Sequence, residues 1–180
     1  VAGIVLLDAA HPNQFDSLPK DFYNLLQSQA GSLDKVISLA QKDYLKYSKS
    51  KIPTFGIPDS LLSEYYDITT KPEYYYSMKM EVLAFETNLK TVESLNNLGN
   101  LPLLVIGSKN SMDKGVLPGK LKDYPFEEHN KIWLELQKDL AKLSENASFI
   151  ESEQNHYLNV TDSKLVTEKI MLFMENQIEN

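Results

Sequence analysis

The chain has 180 residues, 42% of them hydrophobic, and a net charge of −7 spread along its length, enough for one domain with a sizeable core and too apolar for wholesale disorder. The acidic balance argues against nucleic acid or an anionic membrane surface as the main partner, and no apolar run approaches the length of a membrane span. Cys and Arg are both absent, which excludes disulfides, thiolate nucleophiles, Cys-based zinc sites and a guanidinium clamp for phosphate or carboxylate.

The chain opens on an apolar strand, Ala2 to Leu7, that stops at Asp8 in the run Leu7-Asp8-Ala9-Ala10-His11-Pro12. An apolar run without alternation marks a strand covered on both faces, as inside a parallel sheet. Such a strand needs neighbours, yet only two more strand candidates follow, both far downstream. The chain therefore reads as the second part of a larger domain.

Residues 13 to 100 read as an inserted, largely helical cap. Asp21 to Ala30 carries Phe22, Leu25 and Leu26 and is expected to end at Gly31. Ser32 caps a second helix carrying Val36, Ile37, Leu39, Ala40, Tyr44 and Tyr47. Lys51 to Pro58 is a Pro/Gly-punctuated connector. Asp59 or Ser60 caps a short helix through Tyr65 and Tyr66. Pro72 opens a longer helix to about Asn97, with Met78, Val82, Phe85, Leu89, Val92 and Leu95 on one face, and Gly99 stops it. The Tyr-rich stretches Tyr65-Tyr66 and Tyr74-Tyr75-Tyr76 read as packing within this insert, with one face available to an apolar acyl or alkyl group if it opens towards the site.

Residues 101 to 180 return to strand, helix, strand, helix. Leu101 to Gly107 is a buried strand, followed by a loop of Gly, Lys, Asp and Pro to about Phe126. Glu127 to Glu145 is a helix facing Ile132, Trp133, Leu136, Leu140 and Leu143 inward, with His129 expected to face solvent. Ala147 to Glu151 is the third strand. Asp162 or Ser163 caps the last helix, whose buried face carries Leu165, Val166, Ile170, Phe173 and Met174. The order is that of a parallel sheet covered by helices, an α/β class.

Parallel strands place three segments on one sheet edge, where open α/β sheets keep their chemistry: Asp8 to His11, Gly107 to Asp113, and Glu151 to His156. An Asp and a His meeting there form the base-and-orienter pair of a nucleophilic triad. Blander roles compete: Asp8 as a helix or turn cap, His156 as an ordinary loop residue, His11 as a loop residue beside Pro12 and Trp133 as core. The sequons at Asn146 and Asn159 match short patterns that are common by chance. The loop around Asp113 lacks the carboxylate density of a metal site.

Val1 to Gln14 resembles the sixth-strand segment of α/β-hydrolase-fold enzymes. Leu101 to Gly107 resembles their seventh strand, and Glu153-Gln154-Asn155-His156-Tyr157-Leu158-Asn159 through Val166 resembles their catalytic-His loop and the helix after it. The resemblance covers the whole chain in the family's order. It implies the C-terminal part of an α/β-hydrolase parallel sheet, with helices on both faces and an inserted helical cap: residues 1–12 and 101–180 as core, 13–100 as cap. It implies His156 as general base and Asp8 as acid, with Asp113 as the alternative acid. The family often has Asp at the place of Asn110 and Gly just before the His, where Asn155 stands. The Gly-x-Ser-x-Gly nucleophile elbow and the oxyanion segment do not occur in these residues. The resemblance thus implies a serine esterase whose nucleophile lies upstream, inactive as this chain alone, with no cofactor and no metal. Its partners would be a small ester-like substrate and the N-terminal half of the same hydrolase domain. A haloalkane-dehalogenase-like enzyme with an upstream Asp nucleophile, or a non-catalytic hydrolase-like binding module, are the alternatives.

Overall fold

The structure is a computed structural model and describes residues 2–47, 49–52, 54, 57–94, 97–112 and 123–178. Among them three strands, β1 (Ile4–Leu7), β2 (Leu103–Ser108) and β3 (Ala147–Ser152), form one sheet in that order. The helices in chain order are α1 (Gln14–Ser17), α2 (Asp21–Gln41), α3 (Tyr44–Tyr47), α4 (Leu62–Thr69), α5 (Pro72–Glu93), α6 (Phe126–Leu140), α7 (Leu158–Thr161) and α8 (Ser163–Ile178). The chain divides into two compact units, residues 1–20 with 89–180, and residues 21–88.

The first unit is a mixed α/β layer structure. Both strand pairings are parallel, with Ile4 opposite Leu103 and Leu103 opposite Ala147. Every residue of β2 is buried, as an unbroken apolar run requires when both faces are covered. Its side chains alternate between two cores. Leu104 and Ile106 pack with Leu158 and Val166, joined by Val5, Leu7, Ile150 and Phe173, on the face that α8 covers. Leu103 and Val105 pack with Leu140, joined by Ile4, Leu6, Leu143 and Phe149, on the face that α6 covers. Each fully buried Leu or Ile contributes about 1.5–3 kcal/mol of hydrophobic stabilisation.

α6 lies close to the sheet because β2 carries a glycine at the crossing. A Cβ on Gly107 would meet Gln137 Cβ at 2.8 Å and the Phe149 ring at 3.1 Å. On its other side β1 is an edge among the described strands. Its Ile4 N–H donates to Pro102 O at 2.9 Å and the Asp8 N–H to Ile106 O at 2.7 Å. Parallel pairing alternates along a strand, so Val5 and Leu7 present their N–H and C=O groups to the open edge.

Among its described residues the second unit has helices and no strand. Ala40, Leu45 and Ile52 are buried, with Val36, Tyr65, Tyr66 and Tyr75 packed on them. The tyrosines are therefore packing residues here, although Tyr76 is exposed. Burial, with Tyr74 and Tyr66 alongside, raises the Tyr65 hydroxyl above its ordinary pKa. Lys79 pairs with Asp34 at 2.6 Å and the Tyr23 hydroxyl donates to Glu86 at 3.2 Å, tying α2 to α5.

Some expectations are corrected. Residues 21–41 form one helix, not two broken at Gly31. Gly31 is exposed with nothing near its missing Cβ, so the helix runs through it at a cost of about 1 kcal/mol relative to Ala. Gly99 does take a left-handed φ of 58°, but α5 ends at Glu93. Met174, expected on the buried face of the last helix, is exposed, and along α5 Met78 and Val92 are exposed too. The helix opened by Phe126 tightens into a 3₁₀ turn over Ala141–Leu143.

Candidate active site

Asp8 follows β1 directly and takes a φ of 43°, a left-handed conformation that Asp tolerates better than most residues. The chain turns off the strand there, and the carboxylate is buried at the C-terminal end of the sheet. Its Oδ1 accepts two hydrogen bonds, from the Ser108 backbone N–H and from the Trp133 indole N–H, each 2.8 Å. Its Oδ2 lies 2.6 Å from His156 Nδ1. A carboxylate only accepts, so in the neutral imidazole this contact assigns the ring proton to Nδ1 and the lone pair to Nε2. The Asp8 side chain is wholly buried while that of His156 is 50% exposed. The acid is therefore sheltered and the base can be reached.

Four polar side chains hold the loop that carries His156. The Ser108 hydroxyl donates to Gln154 O at 2.6 Å, and Asn110 Nδ2 donates to Glu153 O at 2.6 Å. The Ser152 hydroxyl accepts from the Gln154 N–H at 3.2 Å and donates to Asp162 at 2.6 Å. Asn155 Oδ1 accepts from the Tyr157 N–H at 3.0 Å, which turns the chain into α7. Asn110 and Asn155, where the hydrolase pattern has Asp and Gly, thus both serve to shape the His loop. Asp113, the alternative acid, lies outside the described residues.

α6 supplies the floor. His129, Trp133 and Gln137 recur every four residues, so they form one stripe of the helix, and all three are buried. His129 does not face solvent as expected: it is 2% exposed. Its ring stacks on Trp133 with centroids 6.3 Å apart and planes 11° from parallel, and its Nδ1 lies 2.6 Å from the Tyr124 hydroxyl. Burial lowers its pKa to about 4, against the pull of the Asp8 charge, so it is neutral at pH 7. Gln137 Nε2 donates to Ala9 O at 2.7 Å, fastening the loop behind Asp8. Trp133 is core, as expected, and also a hydrogen-bond donor. His129 and Gln137 escaped a reading that looked for apolar spacing, although their i, i+4, i+8 register with Trp133 was visible.

His11 sits in a second Asp–His pair. Its Nδ1 accepts from the Asn13 N–H at 3.0 Å, which places the ring proton on Nε2, 3.2 Å from Asp139 Oδ2. His11 also borders a cavity of about 180 Å³ with Pro12, Asn13, Val92, Glu93, Asp139, Leu140 and Leu143. Lys142, and after it His11, hold the Asp139 carboxyl below its usual range. Among the described residues no cluster of three or more His, Asp or Glu suits a metal ion, and no helix is long and apolar enough to cross a membrane.

No family model, no curated protein and no solved structure matches the chain.

Proposed function

We infer that the Asp8–His156 pair is the acid–base half of a Ser-His-Asp hydrolase of the α/β-hydrolase fold that cleaves carboxylic esters. The observation that carries the reading is the 2.6 Å bond between a buried, doubly hydrogen-bonded carboxylate and a half-exposed imidazole. In this reading the nucleophilic serine comes from residues preceding this segment, in an N-terminal half whose strand pairs with the open edge of β1. His156 Nε2 takes the serine proton as the hydroxyl attacks the ester carbonyl. Asp8 holds the imidazole in its tautomer and stabilises the imidazolium. His156 then returns the proton to the leaving alcohol, and water, activated the same way, releases the acid. Backbone N–H groups of the N-terminal half would hold the oxyanion. Residues 13–100 would serve as the cap that selects a small ester-like substrate. No step in this scheme requires a cofactor.

The test is labelling of the full-length protein with a fluorophosphonate, alongside hydrolysis of p-nitrophenyl esters. The expected result is a single labelled serine upstream of this segment, with labelling and turnover abolished by His156→Ala. A covalently trapped aspartate at that place would instead favour the dehalogenase-like reading. An unreactive Gly or Ala there, with no turnover, would favour a non-catalytic binding module.

A further inference from the structure

We propose that Trp133 is a positioning residue for the Asp8–His156 pair: its indole N–H holds Asp8 Oδ1 so that Oδ2 is presented to His156 Nδ1. Its catalytic consequence rests on the hydrolase reading above; the positioning itself does not.

Rotation of a carboxylate about its Cβ–Cγ bond is a soft, broad torsion. A single backbone donor, the Ser108 N–H, restrains that torsion only loosely, because one hydrogen bond tolerates some swing of Oδ1. The second donor comes from a different element, α6, and falls on the same oxygen at 2.8 Å. Together the two donors fix where Oδ2 points. The Trp133 ring also meets the His156 ring edge-on, with centroids 6.1 Å apart and planes at 82°, so one side chain contacts both members of the pair. A Phe would fill most of the same space. What the indole adds is the N–H, which a buried Trp must satisfy.

Trp133 is itself held in place. His129 stacks against its ring and is bonded to the Tyr124 hydroxyl. Because His129 is neutral, it places no competing cation beside Asp8. Gly107 lets the helix sit close to β2, and Gln137 bonds the carbonyl of Ala9 next to the acid. The helix that carries the donor and the turn that carries the acceptor are thus tied at adjacent points.

The test uses the full-length protein with Trp133→Phe and with Trp133 replaced by β-benzothienylalanine, which keeps the bicyclic shape and puts sulfur in place of the N–H. Two readouts are taken: the low-field proton resonance of His156 Nδ1, and kcat and KM for an ester. The expected result is an upfield move or exchange loss of that resonance in both variants. With it, kcat should fall about 10–100-fold with KM unchanged, the scale of loss from slight misplacement of a reacting group. A wild-type resonance and wild-type kcat in the sulfur variant would overturn the proposal, and that variant decides the matter should Trp133→Phe fail to fold. If the protein turns over no ester at all, the resonance still decides the positioning and only the hydrolase reading falls.

Discussion

Two Asp–His pairs stand on the same unit of this molecule, and they are built in opposite senses. In Asp8–His156 the carboxylate is buried and the imidazole half exposed; in His11–Asp139 the imidazole side chain is 6% exposed and the carboxylate 47%. Among the described residues the first pair uses one ring nitrogen of its histidine and leaves the other open. The second spends both, Nδ1 on the Asn13 N–H and Nε2 on Asp139, and its acid is shared with Lys142 at 2.8 Å. The presence of an Asp–His contact therefore says little. Which partner is buried, and whether a nitrogen is left over, separates a reactive pair from a fastening.

The sharpest way to break that distinction is to neutralise each acid in the full-length protein. Asp8→Asn should lower kcat for an ester by on the order of 10³–10⁴-fold, since an amide in place of the carboxylate favours the wrong imidazole tautomer. Asp139→Asn should leave kcat within about twofold. Equal losses would erase the difference between the pairs.

α6 serves both pairs, through Trp133 and through Asp139, so its distance from the sheet matters to each. Gly107→Ala should destabilise by about 1–3 kcal/mol in urea titration, because the added methyl meets the Cβ of Gln137 rather than a flexible chain end. A smaller effect is expected for His11→Leu, about 1–2 kcal/mol, since it leaves the Asn13 N–H without its acceptor. Its kcat should stay at the wild-type value, which is what a fastening predicts. The last prediction concerns the third histidine. His129 titrates near 6.5 when unfolded and at about 4 when folded. Between those values the unfolded chain holds the proton and the folded chain does not, so stability falls as pH drops through that window and is level above it. His129→Gln should flatten the dependence of the urea midpoint on pH between 6.5 and about 4.

Much of this architecture was readable from residue pattern. β1 and β2 are apolar runs of strand length and β3 is a short mixed one around Phe149 and Ile150, and the rule that parallel strands present their chemistry at one edge brings Asp8 and His156 together without any contact being known. The i, i+4 stripe on α6 was half legible: Trp133 declares itself as apolar, whereas His129 and Gln137 are polar residues buried against what they bond, Tyr124 five residues back and Ala9 across the chain. Gly31 misled because a local breaker was weighed without the tertiary packing that carries a helix across it. The exposed Met174 misled for the reverse reason, since periodicity says where a stripe lies and not how wide its cover is.

The distance along the chain between the partners has a consequence for how the molecule assembles. Asp8 meets Ser108 across 100 residues, Trp133 across 125 and His156 across 148, while residues 21–88 cluster among themselves. Lengthening a loop from one of these spans to another adds well under 1 kcal/mol of closure entropy, so the burden is kinetic: long-range parallel pairing is slow. During synthesis β1 leaves the ribosome before β2 and waits for it, and the helical residues between them have time to settle in the interval. The Asp8–His156 bond needs β1, β2 and β3 side by side, which makes the pair a reporter of the assembled sheet as well as the candidate site of chemistry.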